Sequence, residues 1–297
     1  MGFLLLLVPD FTLIVAGALL RRYGRFPTEF WAGAERLVYY VLFPALLFRA
    51  LAAAPLAAGD AGSFVAVGVG FTVGGMLLSA LARPLLRLDA PTFAACFQCG
   101  FRFNTYIALA IASRLGGEAG IALLSLLLGF LVPLVNLAAV GVLAQGRSAR
   151  IAIEIARNPL VVACAAGLVW RATGLPLPPL ANRVLEHLAS AALPLGLLAV
   201  GAGLRFGGHA LPKVAIAWWC GVKLVAMPAL ALALAAYAEL PLPARQIAVM
   251  MAAVPTAPSA YILASQMNGR GAPVALLIST GTLLAAATLP LWLAVVS

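Results

Sequence analysis

The sequence predicts an all-α integral membrane protein: ten transmembrane helices built as two inverted five-helix repeats. Three observations carry that expectation. The chain is 64% hydrophobic and 9% charged, with a mean hydropathy of +1.07, where a soluble domain would be about one quarter charged. Its 297 residues divide into ten apolar runs, each close to the ~20 residues that a helix needs to cross a bilayer. The two halves of the chain also share proline- and amide-centred motifs at a nearly constant offset.

The runs cover 3–20, 31–51, 62–82, 92–115, 118–144, 157–173, 184–205, 212–236, 245–267 and 272–296. Short links rich in Pro, Gly and charge separate them, as links between packed helices should. The first run is followed, not preceded, by Arg21 and Arg22, so a signal peptide is not expected. Spans and links together leave no room for a soluble domain. Arg21, Arg22, Arg25, Arg36, Arg83, Arg87, Arg147, Arg150, Arg157, Arg205, Lys213 and Arg270 flank the odd-numbered links, 12 basic residues against 5 at the even-numbered ones. The positive-inside rule then puts both termini on the non-cytoplasmic face. The Arg-rich, Lys-poor usage points to a bacterial inner (plasma) membrane, so the lipid bilayer is the first expected partner. The net charge of +10 is read as this topology signal, because the basic residues are scattered rather than gathered into a nucleic-acid footprint.

The repeats are visible motif by motif. Phe43-Pro44-Ala45-Leu46-Leu47 answers Leu193-Pro194-Leu195-Gly196-Leu197, Asn104-Thr105-Tyr106-Ile107 answers Ser259-Ala260-Tyr261-Ile262, and Val132-Pro133-Leu134 answers Leu289-Pro290-Leu291, at offsets of 150, 155 and 157 residues. The expected repeats are 1–146 and 147–297. Five spans are an odd number, so the second copy enters the membrane from the opposite side. Inverted repeats with interrupted helices at matching places point to a carrier with its site near the midplane.

Two stretches supply the interruptions. In span nine, Pro255 and Pro258 must break the helix, because proline has no N–H and its ring clashes with the preceding turn. Thr256 and Ser259 sit between and beside them, ready to bind loosened backbone or a ligand. Span four has no proline at the matching place. There the break would rest on Gly100 and on Asn104, whose amide can take over backbone hydrogen bonds. The alternative is a continuous helix with polar residues at a helix contact. Half-helices that restart after a break present positive dipole ends to whatever lies between them.

Arg102 and Lys223 lie deep in their runs. Polar and charged groups at that depth usually face a cavity and mark a solute path, although long cationic side chains also snorkel to the headgroups. The acids are fewer: Asp10 inside span one and Glu35 near the start of span two. The surplus positive charge suits an anionic small-molecule substrate, bound by Arg102, Asn104, Thr105, Pro255, Thr256, Pro258, Ser259 and Lys223. Asp10 is read as a proton carrier, as a helix cap or as the partner of one of the cations. Gln98 is read as a pore-facing amide that could join in ion coupling. The four cysteines, Cys96, Cys99, Cys164 and Cys220, all fall in apolar runs, and the lone Cys96/Cys99 pair falls short of a zinc or redox site. No metal and no cofactor is expected. An intramembrane enzyme would need paired catalytic groups that the chain does not bring together, and a passive channel or a transporter-like sensor is the alternative to a carrier.

Taken in order along the chain, the motifs resemble those of the auxin efflux carrier family, the bacterial relatives of plant PIN-FORMED transporters within the bile acid/arsenite/riboflavin transporter superfamily. The matching residues are 41–48, Phe103-Asn104-Thr105-Tyr106-Ile107, Arg157-Asn158-Pro159-Leu160, Leu193-Pro194-Leu195, Val200-Gly201-Ala202-Gly203-Leu204, and Ala253-Val254-Pro255 leading to Tyr261-Ile262-Leu263-Ala264. The resemblance implies that spans one, two, six and seven form a scaffold and the others a transport domain. It implies further that spans four and nine cross at unwound centres, with Asn104 and the Pro255 segment flanking the substrate and the domain moving like an elevator. A second copy of the chain, as a homodimer, is a further candidate partner. Relatives often carry a proline after the span-four asparagine. Here Ala108, Leu109, Ala110 and Ile111 follow instead.

Overall fold

The computed structural model describes residues 2–53, 61–143, 158–205, 211–268 and 270–297. The expected repeat boundary at 146/147 and the basic residues Arg147, Arg150 and Arg157 lie outside them. Among the described residues every regular element is helical. In chain order these are α1 (Gly2–Tyr23), α2 (Thr28–Ala53), α3 (Ala61–Leu86), α4 (Ala90–Phe97), α5 (Thr105–Leu143), α6 (Pro159–Ala172), α7 (Pro179–Ala202), α8 (Lys213–Tyr237), α9 (Leu242–Ala253), α10 (Ser259–Asn268) and α11 (Gly271–Val296).

By length and apolar composition alone, 6 stretches among the described residues are continuous enough to cross a bilayer, against the ten expected. Part of the difference has a physical origin. α9 and α10 have 12 and 10 residues, and each is too short to span alone; α6, with 14 residues, is likewise below spanning length. The stretch from Ala90 to Leu143 counts once with 54 residues, yet its backbone leaves the helix at 101–104 and again at Gly116 and Gly117. Gly117 has φ +55°, a conformation open to glycine and strained for other residues. That bend lies in the link expected between residues 115 and 118.

Prolines shape the long helices locally. Single wide turns at Val38–Leu42 and Val222–Ala226 each end two residues before a proline, Pro44 and Pro228. A proline cannot donate to the carbonyl four residues back and crowds it, and a widened turn relieves that contact. For Pro228 the released carbonyl is that of Leu224, and the Trp292 indole donates to it at 2.8 Å.

Small residues set how closely helices approach. A Cβ on Gly17 would stand 2.0 Å from the Leu198 carbonyl oxygen, and one on Gly201 would stand 1.7 Å from that of Ile14. α1 and α7 therefore touch backbone to backbone, the packing mode of membrane helices, where dispersion replaces the hydrophobic drive. Gly201→Ala should force the two helices apart and lower the thermal midpoint. Gly33→Ala, where a Cβ meets nothing within 4 Å, should be neutral or slightly stabilising. Thermal unfolding of the two variants in detergent checks the contrast.

Polar ties close the ends. The Arg49 guanidinium bonds Glu118 at 2.9 Å and Asn182 at 3.0 Å, linking α2 to α5 and α7. Asp89 caps α4 by accepting from the Thr92 N–H at 3.0 Å. Its other oxygen faces Arg270 at 3.2 Å, just ahead of α11. The Thr92 hydrogen bond, helped by the Arg270 charge, holds the Asp89 carboxyl below the usual carboxylate range.

Candidate functional site

The two helix breaks meet. After α9, Val254 turns extended (φ −63°, ψ 144°), as a residue ahead of proline must, and the helix restarts at Ser259. After α4 the chain tightens into one 3-10 turn at Gln98–Gly100, and Phe101 leaves the helical region at φ −135°. No proline is needed. The Asn104 carboxamide oxygen accepts from the backbone N–H of Tyr106 at 3.0 Å and of Ile107 at 3.3 Å, an N-cap that starts α5 afresh. Gly100 permits the tight contact behind the break, since a Cβ there would stand 2.7 Å from the Ser79 hydroxyl.

Groups released by one break are satisfied by the other, as buried backbone requires. The Asn104 N–H donates to the Pro255 carbonyl at 2.8 Å. The Thr256 hydroxyl donates to the Cys99 carbonyl at 2.7 Å. The Gln98 amide donates to the Ala260 carbonyl at 3.2 Å, and Arg102 Nε donates to the Ser259 hydroxyl at 3.3 Å. Asn104 is fully buried, and its side-chain NH2 has no partner among the described residues.

Beside the junction lies a cavity of about 460 Å³, walled by Tyr39, Tyr40 and Phe43 of α2, by Arg102, Thr105 and Tyr106, and by Ala257, Pro258 and Ser259. Two half-helices, α5 and α10, begin at its edge and turn their positive ends toward it. The half-buried Arg102 guanidinium is held by three neutral oxygens, those of Ser259, Gln98 at 3.0 Å and Asn136 at 2.7 Å. Three of its five N–H groups are thereby used. Among the described residues no carboxylate forms an ion pair with it. Glu35 and Arg36 line the same cavity. A smaller cavity of about 210 Å³ shares the wall of Ala32, Glu35, Pro258 and Ile262 and adds Arg21 and Arg205. The two spaces thus hold more cations than acids, and the arrangement suits a small anion with polar oxygens at one end.

The sequence-derived residues separate into three groups. Arg102, Thr105, Pro258 and Ser259 line the larger cavity. Asn104, Pro255, Thr256, Gln98 and Gly100 stand behind it and build the junction. Gln98 is fully buried with both ends of its amide engaged, which leaves it tying the breaks together rather than facing a pore. Lys223 and Asp10 stand elsewhere. The Lys223 ammonium donates to the Ala252 carbonyl at 2.6 Å. Both Asp10 oxygens accept from Arg114, at 2.6 and 2.9 Å, so its partner is a cation near a helix end and neither Arg102 nor Lys223. Asp10→Asn should cost about 1–3 kcal/mol of stability, given that one partner is buried and the other one-third exposed. Thermal unfolding measures it.

Asn136 was not among the expected site residues, though an amide at the centre of the run 118–144 carries the same signal as Asn104. Tyr39 gave no signal, because an aromatic residue in an apolar run usually belongs to the core, and Tyr106 stood out only as part of the repeated motif.

Comparison with known proteins adds two findings. A family model described as "Membrane transport protein" matches residues 147–293. A protein of Rhizobium meliloti (strain 1021) named "Putative malonate transporter" is 26% identical over 302 residues, which is 95% of this chain and 92% of that protein.

Proposed function

We propose that the chain is a member of the membrane transport protein family, that of the auxin efflux carriers, and a secondary transporter of a small carboxylate of the size and charge of malonate. The observation that carries the substrate class is Arg102: a guanidinium with no acidic partner among the described residues, two N–H groups still to place, and two helix N-termini beside it. A carboxylate in the cavity takes the fork bidentately and accepts from the restarting backbone. The name of the Rhizobium meliloti relative supports malonate as the first substrate to test.

In this reading the chain crosses the inner membrane ten times, with both termini outside the cytoplasm and the repeats 1–146 and 147–297 inverted. α4 with the first rod of α5 makes one broken span, and α9 with α10 the other. The hydrogen bonds between the breaks hold them as one body, and that body carries the anion past the scaffold of spans one, two, six and seven. The electrical term is large enough to matter. Each negative charge leaving an inside-negative cell gains roughly 2.3 kcal/mol per 100 mV.

The test is flux of labelled malonate into proteoliposomes, with and without imposed pH, Na⁺ and voltage gradients. The reading expects saturable flux that unlabelled malonate accelerates from the far side by exchange. Flux that grows linearly with concentration, or an ohmic current, would instead support a channel. No flux of malonate or of other short-chain carboxylates would remove the substrate assignment.

A further inference from the structure

Lys223 stands outside the cavity and is only 2% exposed. Among the described residues its ammonium pairs with no carboxylate; its partner is the Ala252 carbonyl oxygen. That oxygen lies in the last turn of α9. In an unbroken helix it would accept from the N–H of residue 256, but Pro255 ends the helix first. The end of α9 therefore presents uncovered carbonyls and the negative pole of its dipole inside a buried junction. A buried helix end of this kind needs a hydrogen-bond donor, and its dipole favours a cationic one. Lys223 supplies one across from α8, from within the wide turn Val222–Ala226.

A small cavity of about 10 Å³ adjoins the ammonium and is bounded by Cys99, Lys223, Thr256 and Gly281 among others. Cys99 and Thr256 are the pair whose hydrogen bond ties one break to the other. The cation thus sits against the junction, at a cavity that shares no lining residue with the larger one.

We propose that the end of α9 is a monovalent-cation site of the junction, filled by the chain's own Lys223 ammonium. Carriers that break their helices at the midplane commonly coordinate dissolved ions with half-helix C-terminal ends. Here a tethered charge takes that place, so the site draws no ion from solution and Lys223 acts as a positioning residue for the Pro255 segment.

The test uses the full chain in nanodiscs and two variants. Lys223→Ala removes the charge and opens space for an added ion. Lys223→Met removes the charge but keeps that space filled. The expected result is that methylammonium, Na⁺ or K⁺ raises the thermal midpoint of Lys223→Ala saturably, while Lys223→Met and the wild type do not respond. A folded Lys223→Ala that ignores all three ions, or a wild type that responds equally, overturns the proposal. A second readout rests on the transport function proposed above. Malonate flux should fall at least about tenfold in both variants and recover with methylammonium only in Lys223→Ala. Should Lys223→Ala not fold, Lys223→Met decides alone: loss of flux in a folded protein supports the proposal, and wild-type flux overturns it. If the wild type carries no malonate, the thermal measurement still decides.

Discussion

Replacing Arg102 by alanine should abolish malonate flux while the protein still folds and reaches the membrane. The substitution removes the one guanidinium that bridges Gln98, Asn136 and Ser259 and faces the cavity. A bidentate, charge-assisted contact accounts for about 3 kcal/mol or more, which corresponds to at least a hundredfold loss of binding. Of the oxygens left behind, that of Ser259 already lines the cavity, and loss of the arginine side chain opens those of Gln98 and Asn136 to the same water, so the fold should tolerate the change. Arg102→Lys keeps the charge but loses the planar fork, and its flux should fall between the two. Flux assays with protein amounts matched by immunoblot check the series. Wild-type flux from Arg102→Ala would take Arg102 out of the site.

The second large effect separates folding from function at Asn104. Asn104→Asp keeps an oxygen for the N–H groups of Tyr106 and Ile107 and adds a negative charge at a helix N-terminus, which favours the helix. Burial of the new charge opposes that gain, so its thermal midpoint should stay close to that of the wild type. Flux should fall by at least about tenfold, because the new carboxylate sits two residues from Arg102 and repels an incoming anion. Two like charges ~5 Å apart cost about 3 kcal/mol at an effective dielectric of 20. Asn104→Ala should instead lose about 1 kcal/mol of stability with the cap. Thermal unfolding and flux measured on the same preparations test both.

How much of this was legible in the sequence depended on how local each feature is. The prolines at 255 and 258 dictate a break wherever the surrounding chain is placed, whereas Asn104 reads equally as a restart or as a polar residue within a continuous helix. The break ahead of Asn104 was harder, because without a proline it depends on Ser79 of a neighbouring helix packing against Gly100. The pairings of the charges were not legible at all. Arg102 meets Asn136, 34 residues on, and Asp10 meets Arg114, 104 residues on. Lys223 looked like a second substrate cation, since its depth in an apolar run is visible and the carbonyl of Ala252 is not. Such contacts are set by how whole helices pack, and that is fixed by backbone approaches like Gly17 and Gly201 rather than by any local motif.

The most direct test of a carboxylate site between the two helix breaks is equilibrium binding of malonate to the purified protein by titration calorimetry. One saturable site, competed by other short dicarboxylates and missing from Arg102→Ala, is the predicted result. Malonate binding of undiminished affinity in Arg102→Ala, or no binding of any short-chain carboxylate to the folded wild type, would contradict it.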